Sequence, residues 1–393
     1  MVTALNSPRT NFASESQYYC DETQILPPTV AEIDLNAIKA NLLQIRRLVG
    51  SNVMIMQAVK ANAYGYGAVP VAQAIEPLVD AMAVAFVHEG IELRVGGIRC
   101  PILVLGGIPP AHILPALIYD LTLAVGDRHI ASSISEIAVK HDLDATVHVE
   151  VDTGMGRLGL PWKTAARDIH DINNLPNVHV EGVYSHLATS DIEDDEYTLF
   201  QLSRYKGVLA ELKRAGIHVP VRHLANSAAI LQYPETWFDM VRPGLMTYGI
   251  YPAEHLRQVV SLQFPLSIRT RIIQIRLFDQ GESISYGRSF ICPECKWIAV
   301  MQVGYADGLS RVLSNRAKVM VRGKSAPVVG NICMDTCMID VTHIPEAEVG
   351  DEVVLVGGKE GASMLEELAR LMGTISYEVL STLGHRVKRV YQE

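Results

Sequence analysis

From residue 53 onward, short runs of apolar and β-branched residues alternate with stretches in which apolar positions recur every three or four residues. Strand-length runs separated by helical periodicity are the pattern of βαβ units. Eight candidate strands fall at 53–60, 81–87, 101–105, 121–125, 145–152, 178–186, 221–226 and 239–242. Between the sixth and seventh, over 194–215, Leu199, Leu202, Tyr205, Leu209 and Leu212 lie at helical spacing. Eight such units in about 200 residues predict an α/β fold, a (β/α)8 barrel of the TIM type.

After residue 265 the pattern changes. Apolar runs at 268–277, 297–303, 317–321, 331–341 and 351–355 are joined by Gly-containing turns, with one helix at 362–371. The expected organisation is a barrel over 29–265 and a mostly β C-terminal domain over 266–393, with 29–35 a strand available to pack against the second domain. Residues 1–28 are polar and end in Pro27 and Pro28, which reads as a mobile extension outside the fold.

Composition narrows the function. The 393 residues carry 34 Lys and Arg against 43 Asp and Glu, so no basic field exists to hold nucleic acid or anionic lipid. The apolar tracts are too short or too broken to span a bilayer, and no basic-then-apolar leader opens the chain. Six cysteines are too few for a disulfide scaffold and fit the reducing cytoplasm. Cys292 and Cys295 have zinc-knuckle spacing, with Cys333 and Cys337 following. Because 331–341 reads as a buried strand, where Cys serves as a small hydrophobe, no metal is expected.

In a barrel of this class the chemistry sits at the C-terminal ends of the strands. Strand one ends at Lys60, strand five at Glu150 and Asp152 with Arg157 beyond, strand six at His186, strand seven at Asn226 and Ser227, and strand eight at Arg242 and Gly244. A lysine ending an apolar strand is costly to bury unless it is neutral or chemically used, which suits Schiff-base formation with an aldehyde cofactor. Ser227 and the Arg-Pro-Gly of 242–244 offer a hydroxyl and open backbone N–H groups where such barrels bind phosphate.

These residues lie in stretches that resemble the alanine racemase family, the fold-type III enzymes dependent on pyridoxal phosphate. The stretches are AVKANAYGYG (58–67), VDTGMGRLG (151–159), SHLATSD (185–191), HLANSAA (223–229), VRPGLMTYG (241–249), SYG (285–287), VGYADG (303–308) and ICMDTCMID (332–340), in family order. The resemblance implies that Lys60 carries the cofactor and acts as base on one face of the substrate. Tyr286 would be the opposite-face base, lent by the partner of a homodimer. Tyr64, Ser227, Gly244 and Leu245 would hold the phosphate, Arg242 would face the pyridine nitrogen, and Arg157 and the Met334 backbone would orient the substrate carboxylate. His186 would line the cofactor and give Tyr286 a positive or donor neighbour, and Asp335 would support the Met334 segment.

Three positions depart from the family pattern. Glu150, seven residues before Arg157, stands where many relatives carry a carbamylated lysine and is expected to pair with that arginine directly or through a water, the alternative being a partner elsewhere at the strand end. His385 stands where a pocket-capping tyrosine is common, which leaves serine open beside alanine as substrate. Asn331 replaces an arginine near the entrance. The implied activity is a two-base L-alanine and D-alanine racemase supplying peptidoglycan precursor. A decarboxylase of the same architecture fits less well, since it would use a glycine triplet for phosphate and a Cys-Asp segment where this chain reads Cys333-Met334-Asp335.

Overall fold

The computed structural model describes residues 27–193 and 196–393. The extension expected at 1–28 therefore lies outside the described residues up to 26, as do positions 194 and 195 of the helical stretch expected over 194–215.

Eight parallel strands, Met54–Ala58, Ala81–Val84, Ile102–Val104, Thr122–Val125, Ala145–Asp152, Val178–Tyr184, Val221–Asn226 and Met240–Arg242, pair in chain order, and the eighth pairs with the first. The barrel is closed, so none of these strands has a free edge. Lys60 and His186 lie just past their strands rather than within them. The long helix, Glu196–Arg214, buries Thr198, Gln201, Leu202, Tyr205, Val208 and Leu212. Leu199, expected on that face, is exposed instead, because the buried stripe runs through Thr198 and Gln201.

Two cores result from strand alternation. Residues facing outward meet the helices in one large cluster. Met56, Ala81, Ala83, Leu103, Ala124, Tyr184 and Met240, contributed by six strands and no helix, form a separate apolar cluster that fills the lumen from one side. The other side of the lumen is polar, with His148, Glu150, His223 and Arg242 all buried.

The second domain is built on the strand Leu266–Phe278, thirteen residues long and bent by register shifts, which pairs with Lys296–Met301, Glu352–Val356 and Val30–Asp34. Val30–Asp34 also pairs in parallel with the C-terminal strand Lys388–Gln392, so both ends of the described chain meet in this sheet. The strand expected over 331–341 is corrected: only Cys337–Asp340 is extended, and residues 331–336 form a turn in which the Cys333 N–H bonds the Thr336 carbonyl. Cys333 and Cys337 therefore do not share one strand. Among the described residues no group of three or more His, Cys, Asp or Glu could hold a metal ion. No described helix is long and apolar enough to cross a membrane.

Candidate active site

The mouth of the barrel opens into a cavity of about 920 Å³ lined by Lys60, Tyr64, Glu150, Arg157, His186, Ser227, Arg242, Gly244 and Leu245. Lys60 enters it from an unusual turn. Ala61, Asn62, Ala63 and Tyr64 all adopt the left-handed conformation, with φ of 51°, 55°, 51° and 57°. Each such residue costs roughly 1–2 kcal/mol, so the turn exists only because its surroundings hold it. The Glu89 carboxylate accepts from the Ala61 N–H at 2.7 Å and, through its other oxygen, from Ala85 at 2.7 Å and Phe86 at 3.0 Å. Asn62 accepts from the Ala68 N–H at 2.7 Å. From the second domain, the Arg389 Nε donates to the Gly65 carbonyl at 3.1 Å and the Tyr391 hydroxyl to the Tyr66 carbonyl at 3.0 Å. A Cβ at Gly65 would collide with the Leu380 carbonyl, and one at Gly67 with the Tyr391 hydroxyl. These contacts are the physical content of the KANAYGYG stretch.

Burial, and then the Arg157 charge, lower the Lys60 pKa below that of an ordinary lysine, with Glu89 opposing them. A larger neutral fraction makes the amine a better nucleophile and base. Glu89 escaped the sequence reading, because an acid three residues into a helix is also an ordinary capping residue.

Arg242 is fully enclosed. Its Nη2 donates to the Ser185 carbonyl at 2.7 Å and the Leu224 carbonyl at 3.1 Å and lies 3.3 Å from His186 Nδ1, while Nη1 lies 2.8 Å from His223 Nδ1. Burial first, then the Arg242, Arg157 and Lys60 charges, hold His186 down at about 3. The expectation that His186 supplies a positive charge is therefore corrected. It is a neutral imidazole whose Nδ1 faces a guanidinium, leaving its Nε2–H as a donor.

At the other end, Ser227 opens the helix Ser227–Gln232 and its Oγ accepts from the Gly244 N–H at 2.8 Å. Gly244 leads into the single turn Leu245–Tyr248. A Cβ on Gly244 would sit 2.7 Å from the Tyr64 hydroxyl, so only glycine lets that phenol and the backbone amides converge. The Tyr64 ring packs on Tyr248 at 5.0 Å and Tyr377 at 5.9 Å.

Several expected residues are partnered or placed differently. Glu150 accepts from the Tyr184 hydroxyl at 3.1 Å, and burial raises its pKa. Arg157 stands exposed on the loop beyond strand five, so the direct Glu150–Arg157 pair is corrected to a Glu150–Tyr184 bond, with Arg157 acting on Glu150 only at longer range. His385 is exposed and does not line the cavity. The aromatic that does is Tyr377, on the helix Ser376–Ser381, whose hydroxyl burial pushes up to about 12. Sequence reading missed that short helix, and the inference of a relaxed pocket drawn from His385 falls with it. Asp335 pairs with Arg386 at 2.7 Å. Met334 is exposed and its carbonyl accepts from the Ala306 N–H.

Tyr286 is 73% exposed and lines a different groove, beside Cys333 and Met338 in the second domain. Its turn is also strained, with Ser285 at φ 68°. Asn331 Nδ2 donates to the Tyr286 carbonyl at 2.7 Å, and Ser285 Oγ to the Asn331 carbonyl at 2.5 Å. Within one chain the amine and this phenol do not share a cavity.

The family of proteins that carries this arrangement is decided by comparison. The alanine racemase N-terminal domain matches residues 33–252 and the alanine racemase C-terminal domain matches 265–391. This chain belongs to the alanine racemase family. The alanine racemase of Desulforamulus reducens is 46% identical over 367 residues, covering 93% of this chain and 99% of that protein. That of Halothermothrix orenii is 41% identical, covering 94% and 98%. Among solved structures, alanine racemase from Clostridium difficile 630 superposes with a TM-score of 0.90 at 38% identity, covering 94% and 97%. The alanine racemase of Bacillus anthracis, crystallised with bound L-Ala-P, gives 0.88 at 34%, covering 94% and 96%. Membership of the alanine racemase family sets aside the decarboxylase alternative.

Proposed function

We propose that this chain is an L-alanine and D-alanine racemase that uses pyridoxal phosphate and works as a homodimer. The reading is supported by an amine in a buried cradle, its pKa lowered, and by an exposed phenol that a second copy would bring to it. The cradle suits the cofactor: Ser227, Tyr64, Gly244 and Leu245 line one part of the cavity, where the Ser227 and Tyr64 hydroxyls and the backbone amides would hold a phosphate, and Arg242 lines the same cavity. Bound at Lys60, pyridoxal phosphate supplies an electron sink for the charge left when the α-proton departs.

The protein's own groups do the rest. Lys60 Nζ takes or returns the proton on one face, while Tyr286 Oη of a second copy serves the other. A single base returns the proton to the side it left, so inversion needs both. His186 Nε2–H would be the donor toward an incoming phenol oxygen. Arg157, which has no carboxylate partner at bonding distance among the described residues, is the cation for the substrate carboxylate. Arg242 keeps its protons throughout, since guanidinium effectively never releases them, and so presents a constant positive charge. D-alanine for peptidoglycan is the product this activity would supply. A reducing cytoplasm suits the five free thiols among the described residues.

Two measurements test this. A chiral panel with purified protein and pyridoxal phosphate should show alanine turned over in both directions and well ahead of serine. Mixing inactive Lys60→Ala and Tyr286→Phe chains should restore about a quarter of wild-type activity, since half the dimers would then carry one intact shared site. No recovery after exchange of subunits would rule out a site shared between copies.

A further inference from the structure

Behind Arg242, the polar side of the barrel lumen holds a continuous line of side chains that the reaction as described does not use. Arg242 Nη1 lies 2.8 Å from His223 Nδ1, His223 Nε2 lies 2.8 Å from His148 Nδ1, and His148 Nε2 lies 3.0 Å from Glu181 Oε2. Both imidazoles are fully enclosed, whereas Glu181, three residues before Tyr184 on strand six, is 47% exposed. Gly182 makes room for the line: a Cβ there would come within 2.6 Å of the His148 ring. Tyr184 stacks on His223 with centroids 4.8 Å apart and fixes its plane.

The chemistry of the end groups sets the direction of every bond. Arginine has donors and no acceptor, so His223 Nδ1 must accept and its proton sits on Nε2. That N–H then donates to His148 Nδ1, which places the His148 proton on Nε2, where the Glu181 carboxylate accepts it. All protons point away from the active site. A proton added to either imidazole would set two N–H groups against each other at 2.8 Å, at His148 or at Arg242. Burial and the Arg242 charge hold His223 well below the ordinary histidine range, in agreement with the neutral form.

We propose that Glu181 is a remote positioning residue for Arg242, acting through His148 and His223 as a one-way hydrogen-bond wire along the barrel lumen. A carboxylate can only accept, so it locks the wire in the outward sense. Water in its place both accepts and donates, which would allow the reverse sense. That reversal would turn His223 Nδ1–H against the guanidinium and push Arg242 away from its place. The consequence for catalysis rests on Arg242 facing the cofactor, whereas the wire itself does not depend on that reading.

The test is long-range proton–nitrogen NMR of histidine-labelled dimer, with and without pyridoxal phosphate, combined with steady-state kinetics of Glu181→Gln and Glu181→Leu. Wild type should show His148 and His223 purely as Nε2–H tautomers, whereas Glu181→Gln, whose amide can turn either its oxygen or its NH2 toward His148, should admit a share of the reversed sense. Glu181→Leu should show a mixture and lower kcat by about three- to tenfold with KM within about twofold, the loss of one buried hydrogen bond's worth of order. A wild-type Nδ1–H tautomer at either histidine, or a Leu variant with unchanged tautomers or unchanged kcat, would overturn the proposal. Should the spectra behave as stated in a wild type that does not racemise alanine, the wire stands and the racemase reading is what fails.

Discussion

The two turns that carry the candidate bases are built alike and supported differently. Both hold non-glycine residues in left-handed backbone, Ala61 to Tyr64 beside Lys60 and Ser285 and Arg288 around Tyr286. The lysine turn is clamped by Glu89, Asn62, Arg389 and Tyr391, drawn from both domains, and its amine is buried. The tyrosine turn is held by Asn331 and by its own Ser285, and its ring projects into solvent. In the proposed reading, one half of the chemistry is finished within a single chain, and the other would be completed by a second copy. Strain of this kind persists only where the surroundings over-determine it, which is why the lysine turn needs so many partners.

The sharpest way to break this comparison is to remove the phenol oxygen. Tyr286→Phe should lower racemisation by about 10²- to 10⁴-fold while the intact Lys60 side continues to exchange the α-proton of one alanine enantiomer with deuterated solvent. Equal loss of exchange from both enantiomers would contradict separate duties for the two turns.

A smaller effect compares a glycine in each turn. Gly65 has φ 88° and faces the Leu380 backbone, so Gly65→Ala should cost about 3 kcal/mol or more. Gly287 has φ 69° and only Asn331 Nδ2 at 3.7 Å nearby, so Gly287→Ala should cost about 1 kcal/mol. Denaturant midpoints read both, and similar values would mean that the two turns are equally braced.

A further effect, on the scale of the glycine substitutions, concerns pH. His186 titrates at about 3 in the fold against an ordinary 6.5, so between those values the unfolded chain binds more protons. Stability is therefore fully present above pH 6.5 and falls as pH drops toward 3. At pH 5.5 the loss from this one imidazole is about 1–2 kcal/mol, and His186→Asn should remove that part of the acid dependence. An unchanged slope of stability against pH would show that His186 is not held neutral beside Lys60.

The sequence alone determined the barrel, since strand and helix periodicities are set by neighbours a few residues apart and all eight strands lie where alternation puts them. It also marked Lys60, Ser227, Arg242 and Gly244, because each ends or follows a strand and barrel geometry sends strand ends to one mouth. What it left undecided depends on contacts across long stretches of chain. Arg389 reaches Gly65 across 324 residues, and Glu89 serves a turn 28 residues before it. Tyr377 rather than His385 faces the cavity because a six-residue helix too short to show a period turns it inward. The wire from Arg242 to Glu181 draws on four strand positions whose alignment is a matter of register between strands five, six, seven and eight. Local pattern states which faces are apolar. Only the closed barrel decides which polar groups meet inside it, because an unpaired polar group in that lumen is costly enough to choose among arrangements that the pattern leaves equal.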